Sequence, residues 1–191
     1  MIVTVSGPVG IGKSALVTKL AETTALALAP DPPGVEFRAA FFEDPPRWCF
    51  QYLSAQIARH LSRYRDLDPR QTFLFDQSIY EEIVYIDTAY QVGALSSVEH
   101  EVLATLHQSI LPVLPQPKLM LYLDVPRYRL TDRITGRSLE RRLGPAYLSA
   151  LDANYGKWIA TSPLSIKRVP WADFSVFNSV QELLMGELSQ Q

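Results

Sequence analysis

Several features that would place this chain in a specialised class of protein are missing from its 191 residues. The single cysteine, Cys49, excludes an internal disulfide and is typical of a reducing compartment. A net charge of -2 gives no basic field of the kind that nucleic-acid binders carry. No apolar run approaches the roughly 20 residues that span a membrane, and the N-terminal residues show no signal-peptide pattern. These absences favour one cytoplasmic domain over residues 1–191 that binds neither nucleic acid nor a membrane.

A glycine-rich motif stands near the N-terminus. Residues 7–14 read Gly-Pro-Val-Gly-Ile-Gly-Lys-Ser and fit G-x-x-x-x-G-K-S/T at every fixed position. The apolar residues 2–5 before the motif predict a buried strand, and residues 15–28 after it predict a helix. A strand, a glycine-rich turn and a helix in this order are typical of a phosphate-binding loop.

The predicted loop assigns a role to each of its fixed residues. Glycine lets backbone N–H groups close around phosphate oxygens, and the helix N-terminus adds a partial positive charge. The lysine reaches the β- and γ-phosphates of a nucleoside triphosphate, and the hydroxyl after it binds the accompanying Mg²⁺. The phosphate-binding residues are therefore Gly7, Gly10, Gly12, Lys13 and Ser14, with Ser14 also a metal ligand.

The rest of the chain alternates predicted strands with predicted helices. Short apolar runs predict further strands at 72–76, 118–123 and 165–169. Apolar spacing and capping residues predict helices at 46–65, 79–91, 97–111, 126–135, 145–160 and 178–189. This alternation predicts an α/β fold with a parallel sheet covered by helices on both faces.

Four stretches of the chain resemble the deoxynucleoside kinase family, most of all its small bacterial purine members. The first is the glycine-rich motif with its preceding strand, and the second, residues 43–50, resembles the family's P-x-R-W-x-F. The third, residues 76–82, resembles D/E-R-S-I-Y-x-D, and the fourth runs from residue 121 to residue 158. The resemblance covers essentially the whole chain. It implies a three-layer P-loop kinase fold that transfers phosphate from ATP–Mg²⁺ to the 5′-hydroxyl of a deoxynucleoside with a purine base.

Three carboxylates are candidates for the chemistry of phosphoryl transfer, which needs a base near the hydroxyl and Mg²⁺ between the phosphates. Asp76 and Asp124 each close a predicted strand at the edge that carries the loop, so position alone leaves them nearly even. The resemblance favours Asp76 as metal ligand or base. The resemblance also offers Asp31 as the base. The alternative is that Asp31 is only a turn residue, because aspartate is common in turns. The base therefore stays open between Asp31 and Asp76.

An arginine-rich segment, about 127–146, resembles the family's lid, although it is about two residues short. Arg133 and Arg137 lie one turn apart if the segment is helical, so both could bind β- and γ-phosphate oxygens, and Arg133 also has a catalytic role. Glu140 matches the lid acid that binds the sugar 3′-hydroxyl. The resemblance assigns the adenine of ATP to the region of Asp173 and Phe174.

The acceptor side of the site departs from the family pattern. Gln77, Phe42, Leu53 and His60 stand where the family has arginine, tyrosine, glutamine and arginine. A lost contact to a buried nucleoside commonly costs about 1–3 kcal/mol. Trp48, a pocket wall or core residue, is kept from the family pattern, and Glu82 matches an aspartate that tunes base choice. Gln56 and Arg59 lie about one turn from the lost positions and are candidates to replace them.

These departures leave two further interpretations open. One is a kinase-like partner subunit or nucleotide-binding module with little or no catalysis, and the other is a kinase for a different small hydroxyl compound. In either case a dimer is expected, homomeric or with a related subunit. Family members pair through helices beside the pocket, and residues 46–65 and 79–91 carry more apolar surface than one face can bury.

Overall fold

The computed structural model describes residues 1–30, 36–65, 67–125 and 143–189. Its centre is a five-stranded parallel sheet with the order β2-β3-β1-β4-β5. The strands are β1 (Ile2–Ser6), β2 (Ala27–Leu28), β3 (Phe73–Asp76), β4 (Leu119–Asp124) and β5 (Ile166–Pro170). All of β1 and all of β4 except Asp124 are buried, as expected for strands covered on both faces of a sheet.

Seven α-helices lie in the described ranges. They are α1 (Lys13–Thr23), α2 (Arg38–Glu43), α3 (Pro45–Ser62), α4 (Glu82–Gln91), α5 (Ser97–Ile110), α6 (Pro145–Thr161) and α7 (Phe177–Ser189). Short 3₁₀ turns cover Ile79–Glu81, Leu111–Val113 and Phe174–Val176. Within these ranges no helix combines the length and the apolar character needed to cross a membrane.

The α/β class and the parallel sheet predicted from the sequence are confirmed. The one clear error in element type concerns the predicted helix over 15–28. In the structure α1 ends at Thr23, and Thr24 is extended, with its hydroxyl donating to the Leu20 carbonyl oxygen at 2.7 Å. The chain then forms β2, which pairs with β3, so sheet pairing overrides the local helical pattern.

Two further differences concern the segments beside the site. The sequence does not predict α2, which begins after Phe37, a residue with the left-handed φ of 67°. The lid predicted over 127–146 and the helix predicted over 126–135 lie outside the described residues as far as residue 142.

The sheet brings the predicted site residues to one edge. In the register of β1 with β3, Val5 is the partner of Asp76, so Asp76 lies beside the point where the chain enters the glycine-rich loop. Ligands of open parallel sheets bind outside the carboxyl ends of the strands, which is this edge.

Candidate active site

The glycine-rich loop connects β1 to α1 with backbone angles that favour glycine. Gly7, Gly10 and Gly12 have φ of 137°, 85° and 99°, a region that other residues rarely adopt. At Gly7 a Cβ would also lie 2.6 Å from Cδ1 of Ile11 and 3.1 Å from the Leu123 carbonyl oxygen, so a side chain there would require its neighbours to shift. These angles are consistent with a loop whose backbone N–H groups converge on phosphate.

Lys13 is bound to the loop itself in this structure. Its side chain is largely buried, and Nζ donates to the carbonyl oxygens of Gly7 at 2.8 Å and Pro8 at 2.9 Å. The ammonium therefore lies at the rim of the loop, within a short movement of any phosphate that the loop binds. Ser14, the next residue, is exposed at the start of α1.

A buried carboxylate that the sequence analysis did not single out lies beneath the loop. Glu81 is fully buried, and its Oε2 accepts from the Ser6 hydroxyl at 2.5 Å and from the Tyr155 hydroxyl at 2.6 Å. The Tyr155 hydroxyl is also 3.1 Å from the Gly7 carbonyl oxygen. Burial raises the pKa of Glu81 above its ordinary value, and the nearby Lys13 ammonium only partly offsets this.

A cavity of about 210 Å³ opens beside the loop. Its donor side is formed by the loop and by Lys13 and Ser14, and Asp76 joins it from the end of β3. Five of the seven residues predicted to bind substrate line its acceptor side, namely Phe42, Leu53, Gln56, Gln77 and Glu82. The structure thus brings the predicted phosphate-binding and acceptor residues into one space.

Glu82 lies at the centre of the polar contacts in this cavity and is itself almost fully buried. The Gln77 side-chain amide donates to its Oε1 at 3.2 Å. His60 approaches the same oxygen, with Nε2 at 2.9 Å, although the two groups are not aligned as a hydrogen bond. The carboxylate that the resemblance connects with base choice is therefore hydrogen-bonded by Gln77 and contacted by His60.

The sequence analysis missed three cavity residues, Arg38, Tyr52 and Tyr85. Tyr52 lies one turn before Gln56, whose amide donates to the Tyr52 hydroxyl at 3.2 Å. Burial raises the pKa of Tyr52 to about 12, so it remains a neutral phenol at physiological pH. The i, i+4 spacing of Tyr52 and Gln56 on the predicted helix is the signal that could have identified this pair.

Of the two strand-end carboxylates, only Asp76 lines the cavity. Asp124 is about half exposed, and its Oδ2 lies 3.4 Å from Nη1 of Arg168 on the neighbouring β5. The ambiguity that the sequence left between Asp76 and Asp124 is thereby reduced in favour of Asp76.

Three predicted site residues have other local contacts. Trp48 does not line the cavity, and its ring stacks on Phe37 with centroids 5.5 Å apart. Asp173 accepts from the backbone N–H of Ser175 and so caps the last 3₁₀ turn. The Phe174 ring is partly exposed and lies under the Lys19 ammonium. Asp31, Arg133, Arg137 and Glu140 lie outside the described residues.

The cavity contains oxygen donors that suit Mg²⁺. Ser14 and Asp76 both line it, and Mg²⁺ is commonly bound by one or two protein oxygens together with phosphates and water. In the described ranges no group of three or more His, Cys, Asp or Glu residues is arranged to hold a metal without such a phosphate. The donor set therefore fits a metal that arrives with a nucleotide.

A parallel sheet that leads from β1 into a phosphate-binding loop, with a carboxylate from the adjacent strand in the same cavity, defines a P-loop phosphotransferase. A sequence profile of the deoxynucleoside kinase family matches residues 3–190. The chain therefore belongs to the deoxynucleoside kinase family and is a kinase of nucleosides.

Individual relatives support this assignment at low identity. The chain is 27% identical to a deoxyadenosine/deoxycytidine kinase of Bacillus subtilis over 169 residues, which cover 83% of this chain and 76% of the relative. It is 21% identical to a deoxyguanosine kinase of Dictyostelium discoideum over 196 residues, covering 98% of this chain and 68% of the relative. The fold matches that of deoxyadenosine kinase from M. mycoides with bound dATP at a TM-score of 0.85. The two sequences are 17% identical, and the match covers 99% of this chain and 100% of the other.

Proposed function

We propose that the protein transfers the γ-phosphoryl group of ATP to the 5′-hydroxyl of a purine deoxyribonucleoside, a reaction of cytoplasmic nucleotide salvage. One observation carries the proposal: the loop with Lys13, the carboxylate of Asp76 and the acceptor residues share a single cavity. The names of the relatives, which include deoxyadenosine and deoxyguanosine kinases, favour a deoxynucleoside as the acceptor.

The donor side supplies binding and charge. When phosphate enters the loop, the Lys13 ammonium exchanges the carbonyl oxygens of Gly7 and Pro8 for β- and γ-phosphate oxygens. Ser14 and Asp76 would hold the Mg²⁺, and the metal would supply charge neutralisation for the phosphates. Two remaining roles rest on the family resemblance: Arg133 and Arg137 bind the moving phosphoryl group, and Glu140 binds the 3′-hydroxyl.

The proton of the 5′-hydroxyl passes to a carboxylate. Asp76 is in the cavity, and Asp31 follows Pro30, so both remain candidates for the base. A carboxylate within hydrogen-bond reach of the hydroxyl accepts its proton as the bond to phosphorus forms.

The acceptor side favours a base that carries an exocyclic amino group. The buried side-chain oxygen of Gln56 has no hydrogen-bond partner within the described part of the chain, and Glu82 presents a carboxylate. Both groups accept hydrogen bonds, and an unpaired buried acceptor costs about 1–3 kcal/mol. Adenine, guanine and cytosine each carry such an amino group, so these acceptors favour those three bases over thymine. The names of two relatives favour deoxyadenosine among the purines, and it is the substrate that we expect.

A panel assay tests the proposal. ADP release is measured with ATP–Mg²⁺ and each of the four deoxynucleosides, and deoxyadenosine should give the highest kcat/KM. Asp76→Asn should lower kcat by about 100-fold or more, because it removes a charge from the metal or proton-transfer site. The matched control is Asp124→Asn, which alters the other strand-end carboxylate and should change kcat by no more than about 2-fold.

Other outcomes would change the assignment. Wild-type turnover retained by Asp76→Asn would show that another carboxylate is responsible. If ATP binds but no deoxynucleoside or ribonucleoside is phosphorylated, the protein is a nucleotide-binding partner instead. A different hydroxyl compound that accepts phosphate would leave the donor site correct and the acceptor wrong.

We also propose that the protein forms a dimer with a second copy of itself through α5. The sequence analysis expected apolar surface on 46–65 and 79–91, yet much of the apolar surface of α4 is buried. Val98, Val102 and Leu106 instead form a stripe at i, i+4 and i+8 on α5, with exposed fractions of 68%, 50% and 41%. A heterodimer with a related subunit would use the same stripe.

A further inference from the structure

Arg63 is a buried charged residue at the end of α3 to which the proposed reaction assigns no role. It is only 2% exposed, and its guanidinium lies over the ring of Phe75, with Cζ 4.6 Å from the ring centroid. A guanidinium has five N–H donors and cannot accept, so its burial requires acceptors around it. The identity of these acceptors indicates what the side chain does.

Among the described residues, three backbone carbonyl oxygens accept hydrogen bonds from Arg63. Nε donates to Pro30 at 3.1 Å, and Nη1 donates to both Asp76 and Gln77 at 3.0 Å. Asp76 and Gln77 are consecutive residues at the point where β3 leaves the sheet, and the side chains of both line the cavity. One guanidinium therefore holds the backbone directly behind two cavity residues.

The backbone conformation at Gln77 depends on this arrangement. Gln77 has a φ of 62°, in the left-handed region that residues other than glycine rarely adopt. Such a conformation persists where surrounding contacts impose it. Here the Gln77 N–H continues the sheet by donating to the Val5 carbonyl oxygen at 3.0 Å, while its own carbonyl oxygen turns to Arg63.

Arg63 also contacts the histidine behind Glu82. Nη1 of Arg63 is 3.5 Å from Nδ1 of His60. Because Arg63 can only donate, Nδ1 is the acceptor, and a neutral imidazole then carries its proton on Nε2. That nitrogen faces Oε1 of Glu82 at 2.9 Å.

We propose that Arg63 is a positioning residue for the phosphoryl acceptor: it fixes the backbone of Asp76 and Gln77, two residues that line the cavity. This inference rests on the proposed function, since the nucleoside must occupy the cavity that these two residues line.

The kinetic test compares two variants with a control. Arg63→Met removes the charge and the donors but keeps the stem over Phe75, and Arg63→Lys keeps the charge without the planar fork. We expect Arg63→Met to raise the nucleoside KM and lower kcat, reducing kcat/KM about 10- to 100-fold, with Arg63→Lys intermediate. The ATP dissociation constant should change less than about 2-fold, because the loop is held by other contacts. Arg65→Met, at an exposed position two residues further, should match wild type.

A purely structural role would give a different result. It would lower the thermal midpoint and the active fraction while the nucleoside KM of the remaining enzyme stayed at the wild-type value. That result, or wild-type kcat/KM in both variants, would overturn the proposal. If Arg63→Met does not fold, the same criteria apply to Arg63→Lys.

A crystal structure of Arg63→Lys tests the positioning role without any measurement of activity. The positioning role can therefore be tested even if no nucleoside proves to be a substrate. We expect Gln77 to leave the left-handed region or the Asp76 carboxylate to move by about 1 Å or more, because a lysine cannot hold two adjacent carbonyl oxygens in the same way. A Gln77 that keeps its left-handed backbone together with an unmoved Asp76 carboxylate would refute the positioning role, whereas an inactive wild type would refute only the proposed function.

Discussion

At the scale of single residues, the phosphate loop is held by two ionisable side chains, one within it and one beneath it. Lys13 binds two carbonyl oxygens of the loop, and Glu81 accepts hydrogen bonds from Ser6 and Tyr155 below it. The first group is available to a ligand, whereas the second is closed off from solvent. They should therefore respond differently to substitution, Lys13 in ligand binding and Glu81 in stability.

Lys13→Met should weaken ATP–Mg²⁺ binding by about 100-fold or more while leaving the protein folded, since a cation facing desolvated phosphate contributes several kcal/mol. The measurement is nucleotide titration by calorimetry, with circular dichroism to show that the fold is intact. Lys157→Met, at an exposed position of α6, is the control and should bind ATP as wild type does. Unchanged ATP affinity in Lys13→Met would contradict the assignment of the loop.

Glu81→Gln should change how stability depends on pH. Burial raises the pKa of Glu81 in the folded state. A carboxyl of this kind stabilises the fold fully below its unfolded-state pKa of about 4.3, and the contribution is lost as pH rises through the folded-state pKa. The glutamine variant should therefore gain stability relative to wild type as pH rises from about 4.3 to the folded-state pKa of Glu81, and the difference should stay constant above it.

Urea unfolding at several pH values measures this difference in the free energy of unfolding. Glu101→Gln, at an exposed position of α5, is the matched control for the amide substitution itself. A difference between wild type and Glu81→Gln that stays constant across the pH range would disprove the prediction.

At the scale of secondary-structure elements, α5 shows how local sequence determines a helix start. The Ser96 hydroxyl accepts from the Glu99 backbone N–H, and the Glu99 carboxylate accepts from the Ser96 N–H at 2.8 Å, which forms a capping box. Gly93, with a φ of 77°, ends the turn before it. These contacts involve near neighbours in the chain, which is why the sequence could predict them.

Ser96→Ala should lower the free energy of unfolding by about 1 kcal/mol, because it leaves the Glu99 N–H without its cap. Ser97→Ala is the control, since Ser97 is exposed in the first turn of α5 and is not the capping residue. Chemical denaturation of both variants measures the effect, and equal stabilities would show that the capping box contributes nothing.

Elements that depend on distant parts of the chain were harder to predict. The apolar residues after Thr24 fit a helix as well as a strand, and only the pairing of β2 with β3 decides between the two structures. The start of α2 depends on the unusual backbone of Phe37, for which the sequence has no glycine signal. By contrast, the buried strands β3 and β4 have apolar runs that identify them without tertiary information.

The site shows the same division. The phosphate loop and the Asp76–Glu82 stretch are local motifs, so the sequence alone predicts roles for Lys13, Asp76 and Glu82, although not for Glu81. Arg63 could not be identified in this way, because its acceptors Asp76 and Gln77 lie 13 and 14 residues away. Glu81 and Tyr155 are 74 residues apart, and only the packed fold brings them together.

At the scale of the whole molecule, the apolar stripe on α5 predicts self-association. Val102→Glu should convert a dimer to a monomer, because it places a charge at the centre of an apolar contact. Light scattering at micromolar concentration measures the mass. Met185→Glu, at an exposed apolar position of α7, is the control and should remain dimeric. A wild-type protein that is monomeric under these conditions would remove the basis for the α5 interface.

The contacts that support the phosphate loop come from residues that are synthesised much later than the loop. Gly7 and Glu81 depend on Tyr155, and the Trp171 indole donates to the Ile11 carbonyl oxygen at 2.9 Å, so the loop is completed by residues made long after it. At about 5–20 residues per second, a ribosome needs on the order of 10–30 s to go from the loop to Trp171. During that interval the nascent chain carries its nucleotide-binding motif without Tyr155 and Trp171, so we expect ATP to stabilise the protein only after these residues have been added.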